Sequence, residues 1–212
     1  MPLFGVADKS IADAYDRVAK RYEARFLDEL ADKPRDRELL DGIIEQTAGL
    51  IVDVGCGPGQ IGAYLRARGR HVIGMDVSTE MAALAAARLD GAVVADMRAL
   101  PFASEAVGAV VAFYSLIHLQ RADLTNAFRE FARVLGPGGR VLMTAHEGDG
   151  EVTVREFLDE NVELGASFFG LDELATAADV AGLAIRLAER RNPYPSEGQT
   201  VRLYVLAERR RG

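Results

Sequence analysis

The stretch "IVDVGCGPGQIGAYL", Ile51–Leu65, decides the fold: an apolar run meets Gly55, Gly57 and Gly59, and the chain then takes up the spacing of a helix. A strand that passes through bare glycine into a helix places that loop at the carboxyl edge of a sheet, where open α/β folds bind ligands. Glycine accepts φ > 0 and lets a ligand approach the main chain closely. The helix that follows offers free N–H groups and the positive end of its dipole to an anionic ligand group. A tight turn with no ligand is the bland alternative, but three glycines with flanking acids exceed what a turn requires.

Working outward, further apolar runs occur at "HVIGMDV" from 71, "GAVVAD" from 91, "VGAVVAFYSL" from 107, "GRVLMTAH" after the turn "GPGG" at 136–139, and "VRLYVLAE" from 201. Near-continuous Val, Ile and Ala without clean alternation suits strands covered on both faces. Helical patterns lie between them. Ile61 and Leu65 precede a stop at Gly69, and Ser78 caps a helix carrying Met81, Leu84, Ala85 and Leu89. Leu124, Phe128, Phe131 and Leu135 form one apolar face, and Leu171, Leu174, Ala178 and Ala181 repeat it before Gly182. Strand–helix alternation of this kind predicts parallel strands joined by right-handed crossovers, a doubly wound α/β sheet. Two segments stand outside it. Residues 8 to about 48 read as helical, with Ile11, Tyr15, Val18 and Tyr22 on one face and a break near Pro34. Residues 146–170 read as acidic and irregular, and "NPYP" at 192–195 reads as a turn joining the last two strands.

Bulk properties exclude more than they assert. The chain has 212 residues, 49% hydrophobic and 27% charged, enough to bury a core in one domain. It holds no run of about 18 apolar residues, so no membrane span is expected. "MPLFGVADKSIADAYDRVAKRY" lacks the basic-then-apolar layout of a signal peptide. Cys56 is the only cysteine, which rules out an internal disulfide and makes a reducing cytoplasm the expected setting. A net charge of −7 argues against broad nucleic-acid binding, and "RRR" at 209–211 reads as a solvated end.

The glycine loop distinguishes two cofactor classes. A dinucleotide turn has G-x-G-x-x-G; here the pattern is G-x-G-x-G, and Gln60 stands where the third dinucleotide glycine belongs. Asp76 ends the next apolar run, where a carboxylate accepts ribose hydroxyls in either class. At this point the sequence resembles the class I S-adenosylmethionine-dependent methyltransferases of small-molecule type. The matching motifs are "VDVGCGPG" at 52–59, "GMDVS" at 74–78, "ADMRALPF" at 95–102, "AVVAFYSLIHL" at 109–119 and "VLGPGGRVLM" at 134–143. The resemblance implies a seven-stranded, mostly parallel Rossmann-like sheet of order 3-2-1-4-5-7-6 under an N-terminal helical lid. It implies one domain, 1–212: a lid over about 8–48, a cofactor-binding core over about 50–146, a substrate-capping insert at 147–170, and the last helix with a C-terminal strand hairpin over 171–212.

Carried over by position, the resemblance sets Asp53 and the loop of Gly55, Cys56, Gly57 and Gly59 against the methionine half of S-adenosylmethionine. Asp76 would hold its ribose, Val77 and Met81 would lie beside adenine, Asp96 would accept from the adenine amino group, and Met97 would stack on it or offer its backbone N–H. Phe113, Tyr114 and Ser115 would line the methionine side near the methyl, and in "AYDRVAKRY", which resembles the family's N-terminal lid, Tyr22 would reach the cofactor's carboxylate with Tyr15 beside it. On the residues alone, Cys56 reads as a small packing residue, not a nucleophile, and the two tyrosines read equally as lid packing.

Methyl transfer from a sulfonium is an in-line displacement that needs no metal, and positioning contributes on the order of 7–11 kcal/mol. A general base adds about 10²–10⁴-fold. The candidate base is His118 in "YSLIHL", with His146 second and Tyr114 beside them; a helix-capping histidine is the bland alternative for His118. "HEGDGE" at 146–151 invites a metal reading, set aside because adjacent residues on one loop rarely converge. The expected function is methylation of an oxygen or nitrogen, less readily a carbon, of a small molecule by a monomer or homodimer, without nucleic acid or membrane, leaving S-adenosylhomocysteine. The alternatives are a non-catalytic S-adenosylmethionine-binding protein, a protein or RNA methyltransferase, and an NAD-dependent oxidoreductase.

Overall fold

The computed structural model describes residues 6–210; of the basic tail, Arg211 lies outside them. The elements follow in the order α1 (Val6–Phe26), α2 (Pro34–Gln46), β1 (Ile51–Val54), α3 (Gln60–Arg66), β2 (Val72–Asp76), α4 (Thr79–Ala86), β3 (Gly91–Val94), β4 (Val107–Phe113), α5 (Leu124–Val134), β5 (Leu135–His146), β6 (Glu151–Phe157), β7 (Glu160–Ser167), α6 (Leu171–Val180), β8 (Leu183–Arg191) and β9 (Arg202–Arg209). Seven strands form one sheet in the order β3-β2-β1-β4-β5-β9-β8, while β6 and β7 pair separately. Without that pair, the order is the expected 3-2-1-4-5-7-6. The first five strands run parallel, and β9 runs antiparallel to both β5 and β8.

Both faces of the central strands are covered, which is why β1, β2 and β4 carry no polar face. On one side Val52, Val54, Val110 and Val141 pack against Phe128 and Phe131 of α5 and Leu174 of α6. On the other, Ile51, Val72, Val111 and Leu142 meet Leu40 and Ile43 of α2 and Ile61 and Leu65 of α3. Pro34 starts α2 at the predicted break, where its missing N–H would be unpaired in any case. Ser78 caps α4, its hydroxyl accepting from the Met81 N–H at 3.1 Å. Leu135, expected on the apolar face of α5, instead opens β5, because the helix ends at Val134. Among the described residues, no helix is long and apolar enough to cross a membrane.

The segment read as irregular is a β-hairpin. β6 and β7 pair antiparallel from Glu151↔Ser167 to Phe157↔Glu160, around the two-residue turn Leu158–Asp159 at φ +53° and +59°. Two positive φ values in succession match the right-handed twist of a hairpin. β7 alternates, burying Val162 and Leu164 and exposing Asn161 and Glu163. Val162 and Leu164 join Ala14 and Val18 of α1 in a small core of their own, with Tyr15 and Phe157 packed against it. Arg17 and Arg21 of α1 pair with Glu160, so lid helix and hairpin close on each other as one cap.

Candidate functional site

The glycine loop crosses over the end of β4. Gly55 has φ +67°, and a Cβ there would lie 2.2 Å from that of Ser115, whose hydroxyl donates to the Val54 carbonyl at 2.8 Å. Asp76, at the end of β2, ties loop and strand together: it accepts from the Gly57 N–H and the Ser78 N–H, each at 2.9 Å. Burial pushes its carboxyl up to about 6, against the pull of those N–H bonds. Asp53 accepts from the Gly62 N–H at 2.9 Å and is pushed to about 7 by burial and by the charge of Asp76.

Two chambers open at this edge. The inner one, about 760 Å³ of space continuous with solvent, is lined among others by Asp76, Val77, Met81, Asp96, Met97 and Leu119. The outer one, about 1670 Å³, runs under the cap past Glu29, Lys33, Gln60, His146, Phe157 and Leu164. Tyr15, Tyr22, Gly55, Gly57, Phe113, Tyr114 and His118 line both chambers and form the wall between them.

Of the residues singled out from sequence, Tyr15, Tyr22, Gly55, Gly57, Asp76, Val77, Met81, Asp96, Met97, Phe113, Tyr114, Ser115 and His118 come together around the inner chamber. Cys56 lines only the outer chamber, and Asp53 and Gly59 line neither. Asp53 lies beneath the loop holding α3, and Cys56 is a buried thiol against Gly74, driven well above its usual range by burial. Gly59 starts α3 at φ +91°, with Ala85 3.1 Å from the Cβ it lacks. Both carboxylate oxygens of Asp96 engage Arg98, which also reaches Asp123. Each oxygen has two lone pairs, so a further donor can still be accepted.

His118 sits on the dividing wall in a short 3-10 turn, Leu116–His118. Its Nδ1 faces the Gly165 carbonyl of β7 at 2.8 Å and must carry a proton there, so Nε2 accepts the Tyr15 hydroxyl at 2.7 Å. Burial lowers its pKa, partly opposed by the Gly165 carbonyl, which keeps the ring neutral. Sequence reasoning named both residues and missed their bond, which joins a lid helix to a loop 103 positions away. His146 lines only the outer chamber, stacked on Tyr114 at 5.1 Å, and burial with Arg202 nearby lowers it to about 4. Tyr114 holds φ +54°, uncommon for a non-glycine residue, with its N–H donated to the Thr144 hydroxyl at 2.9 Å. Lys33 Nζ lies 5.4 Å and the Arg202 guanidinium 5.7 Å from the centre of its ring, two cations that no motif in the sequence marks for this place. Among the described residues, no three His, Cys, Asp or Glu side chains gather as a metal site.

A methyltransferase-domain family matches residues 52–143. An uncharacterised methyltransferase of Geobacillus kaustophilus is 27% identical over 62% of this chain and 61% of its own length. A malonyl-[acyl-carrier protein] O-methyltransferase of Erwinia billingiae is 32% identical over 68% of this chain and 56% of its own length. The chain thus spans little more than half the length of these curated relatives. In fold, it is similar to 1,6-didemethyltoxoflavin-N1-methyltransferase of Burkholderia thailandensis, solved with 1,6-didemethyltoxoflavin and S-adenosylhomocysteine. That likeness has a TM-score of 0.69 at 20% identity, covering 99% of this chain and 92% of the other.

Proposed function

The chain belongs to the class I S-adenosylmethionine-dependent methyltransferases, and from that premise we propose that it methylates an oxygen or nitrogen atom of a small molecule held in the outer chamber. The dividing wall carries this reading: seven residues face both chambers, so a donor in one and an acceptor in the other meet across it. The inner chamber suits an adenosine. It sets one buried carboxylate, Asp76, among Val77, Met81 and Met97, and Gly55 admits no side chain where the ligand would approach. An oxygen acceptor agrees with the O-methylation for which the Erwinia protein is named.

When bound, S-adenosylmethionine supplies a methyl group on a sulfonium, open to in-line displacement. The protein's part is orientation. Tyr15 and Tyr22 close the wall from the lid, Phe113 and Tyr114 from the end of β4, and the hairpin roofs the outer chamber with Val154, Phe157, Leu164 and Ala166. The Tyr15 hydroxyl has a free lone pair for the acceptor's proton while its own hydrogen passes to Nε2 of neutral His118.

Calorimetric titration with S-adenosylmethionine, S-adenosylhomocysteine and NADH tests the reading. The first two bind and NADH does not, and Asp76→Asn weakens S-adenosylhomocysteine about tenfold or more. The wild-type affinity is constant above pH 7 and falls as pH drops through about 6, where the Asp76 carboxyl of the free protein takes up a proton that ribose binding must expel. The variant loses that dependence. Binding of NADH alone refutes the methyl donor.

A further inference from the structure

We infer that Gln60, Glu29 and Lys33 form a clamp for the α-amino-acid terminus of the methyl donor, Gln60 beside Glu29 receiving its ammonium and Lys33 its carboxylate; this rests on the reading just given. Gln60 opens α3 directly after the glycine loop, and its polar side chain is only 9% exposed. The amide has one orientation. The Glu29 carboxylate only accepts, so the amide nitrogen must face it, and Nε2 donates to Glu29 at 2.9 Å. Oε1 is thereby left buried and without a partner, 3.7 Å from the point where a Cβ on Gly57 would lie. A buried acceptor without a donor is costly, and folds tolerate one where a ligand completes it.

The missing partner is an N–H or O–H donor, and the neighbouring Glu29 charge favours a cationic one. The other oxygen of Glu29 holds Lys33 Nζ at 2.5 Å. Lys33 is 8% exposed, reaches Glu197 only at 3.8 Å and lies 5.4 Å over the Tyr114 ring. An unfilled acceptor and a buried cation thus stand together on the outer wall, beside Gly57 of the dividing wall. That is the complement of an ammonium and a carboxylate carried on one carbon. S-Adenosylmethionine and S-adenosylhomocysteine carry such a terminus, whereas methylthioadenosine has the same nucleoside and sulfur without it.

The test is the dissociation constant of S-adenosylhomocysteine and of methylthioadenosine for the wild type, Gln60→Leu and Lys33→Met. Each substitution is expected to weaken S-adenosylhomocysteine about tenfold or more while methylthioadenosine stays within about twofold. Equal weakening of both nucleosides would make these residues structural supports of the loop and overturn the clamp. Unchanged S-adenosylhomocysteine affinity in either variant that folds would overturn it as well. A wild type that binds neither nucleoside refutes the methyl-donor reading itself, and the clamp with it.

Discussion

At Gly55 an added methyl group would lie 2.2 Å from the Cβ of Ser115, while at the hairpin turn Leu158 and Asp159 carry full side chains at φ +53° and +59°. The floor of the site and the cap above it thus meet the same backbone demand, a positive φ, in opposite ways. The floor lies where β1 and β4 end among fully buried residues, and there the geometry leaves only glycine. The cap turn tolerates two side chains that strain it slightly, Leu158 half-buried against the small apolar cluster and Asp159 exposed. Its hold on the lid comes from a small apolar cluster, from Arg21 donating to the Leu158 and Asp159 carbonyls, and from ion pairs of Arg17 and Arg21 with Glu160. Those arginines are about half exposed, at 55% and 50%, so the pairs contribute roughly 0–1 kcal/mol each. Floor geometry is imposed by the main chain, and cap geometry is assembled from side-chain contacts.

The largest expected effect lies on the floor. Gly55→Ala adds both a clash and a strained φ, so it should cost about 3 kcal/mol or more in denaturant unfolding and abolish S-adenosylhomocysteine binding. Wild-type stability and affinity in that variant would break the contrast, because the loop would then have slack that the distances deny. The smallest effect lies in the cap. Replacing Leu158–Asp159 by Asn-Gly supplies residues suited to two positive φ values and leaves the carbonyls that Arg21 uses. Unfolding should show a gain of about 0.5–1 kcal/mol, with S-adenosylhomocysteine affinity unchanged. A loss of stability would mean that the Leu158 side chain, not the turn, holds the cap.

The same contrast decides what was legible. Gly55, Gly57, Asp76 and the strands around them announce themselves, because a buried parallel sheet writes its position as continuous apolar runs and its ligand edge as glycine. The hairpin stayed hidden because Leu-Asp carries no turn signal, and because the exposed face of β6 shows Val152 and Val154 among charges. The alternation Val162, Leu164, Ala166 was the available clue. Tyr15 and His118 were legible one by one, but the hydrogen bond between them belongs to tertiary structure. Gln60 was visible only as a departure from the dinucleotide pattern, and its partner Glu29 lies 31 positions earlier, in a segment read as lid. Asp53 and Gly59 sat in the right motif and serve the loop from below, since a strand-end acid and a helix-opening glycine also have structural work there.

A crystal structure with S-adenosylhomocysteine bound tests most directly the claim that donor and acceptor meet across one wall. Adenosine is expected in the inner chamber with its ribose on Asp76, and the sulfur at the wall between Tyr15, Gly55 and Phe113, facing the outer chamber. A nucleoside seated in the outer chamber, or a sulfur turned away from that wall, would contradict it.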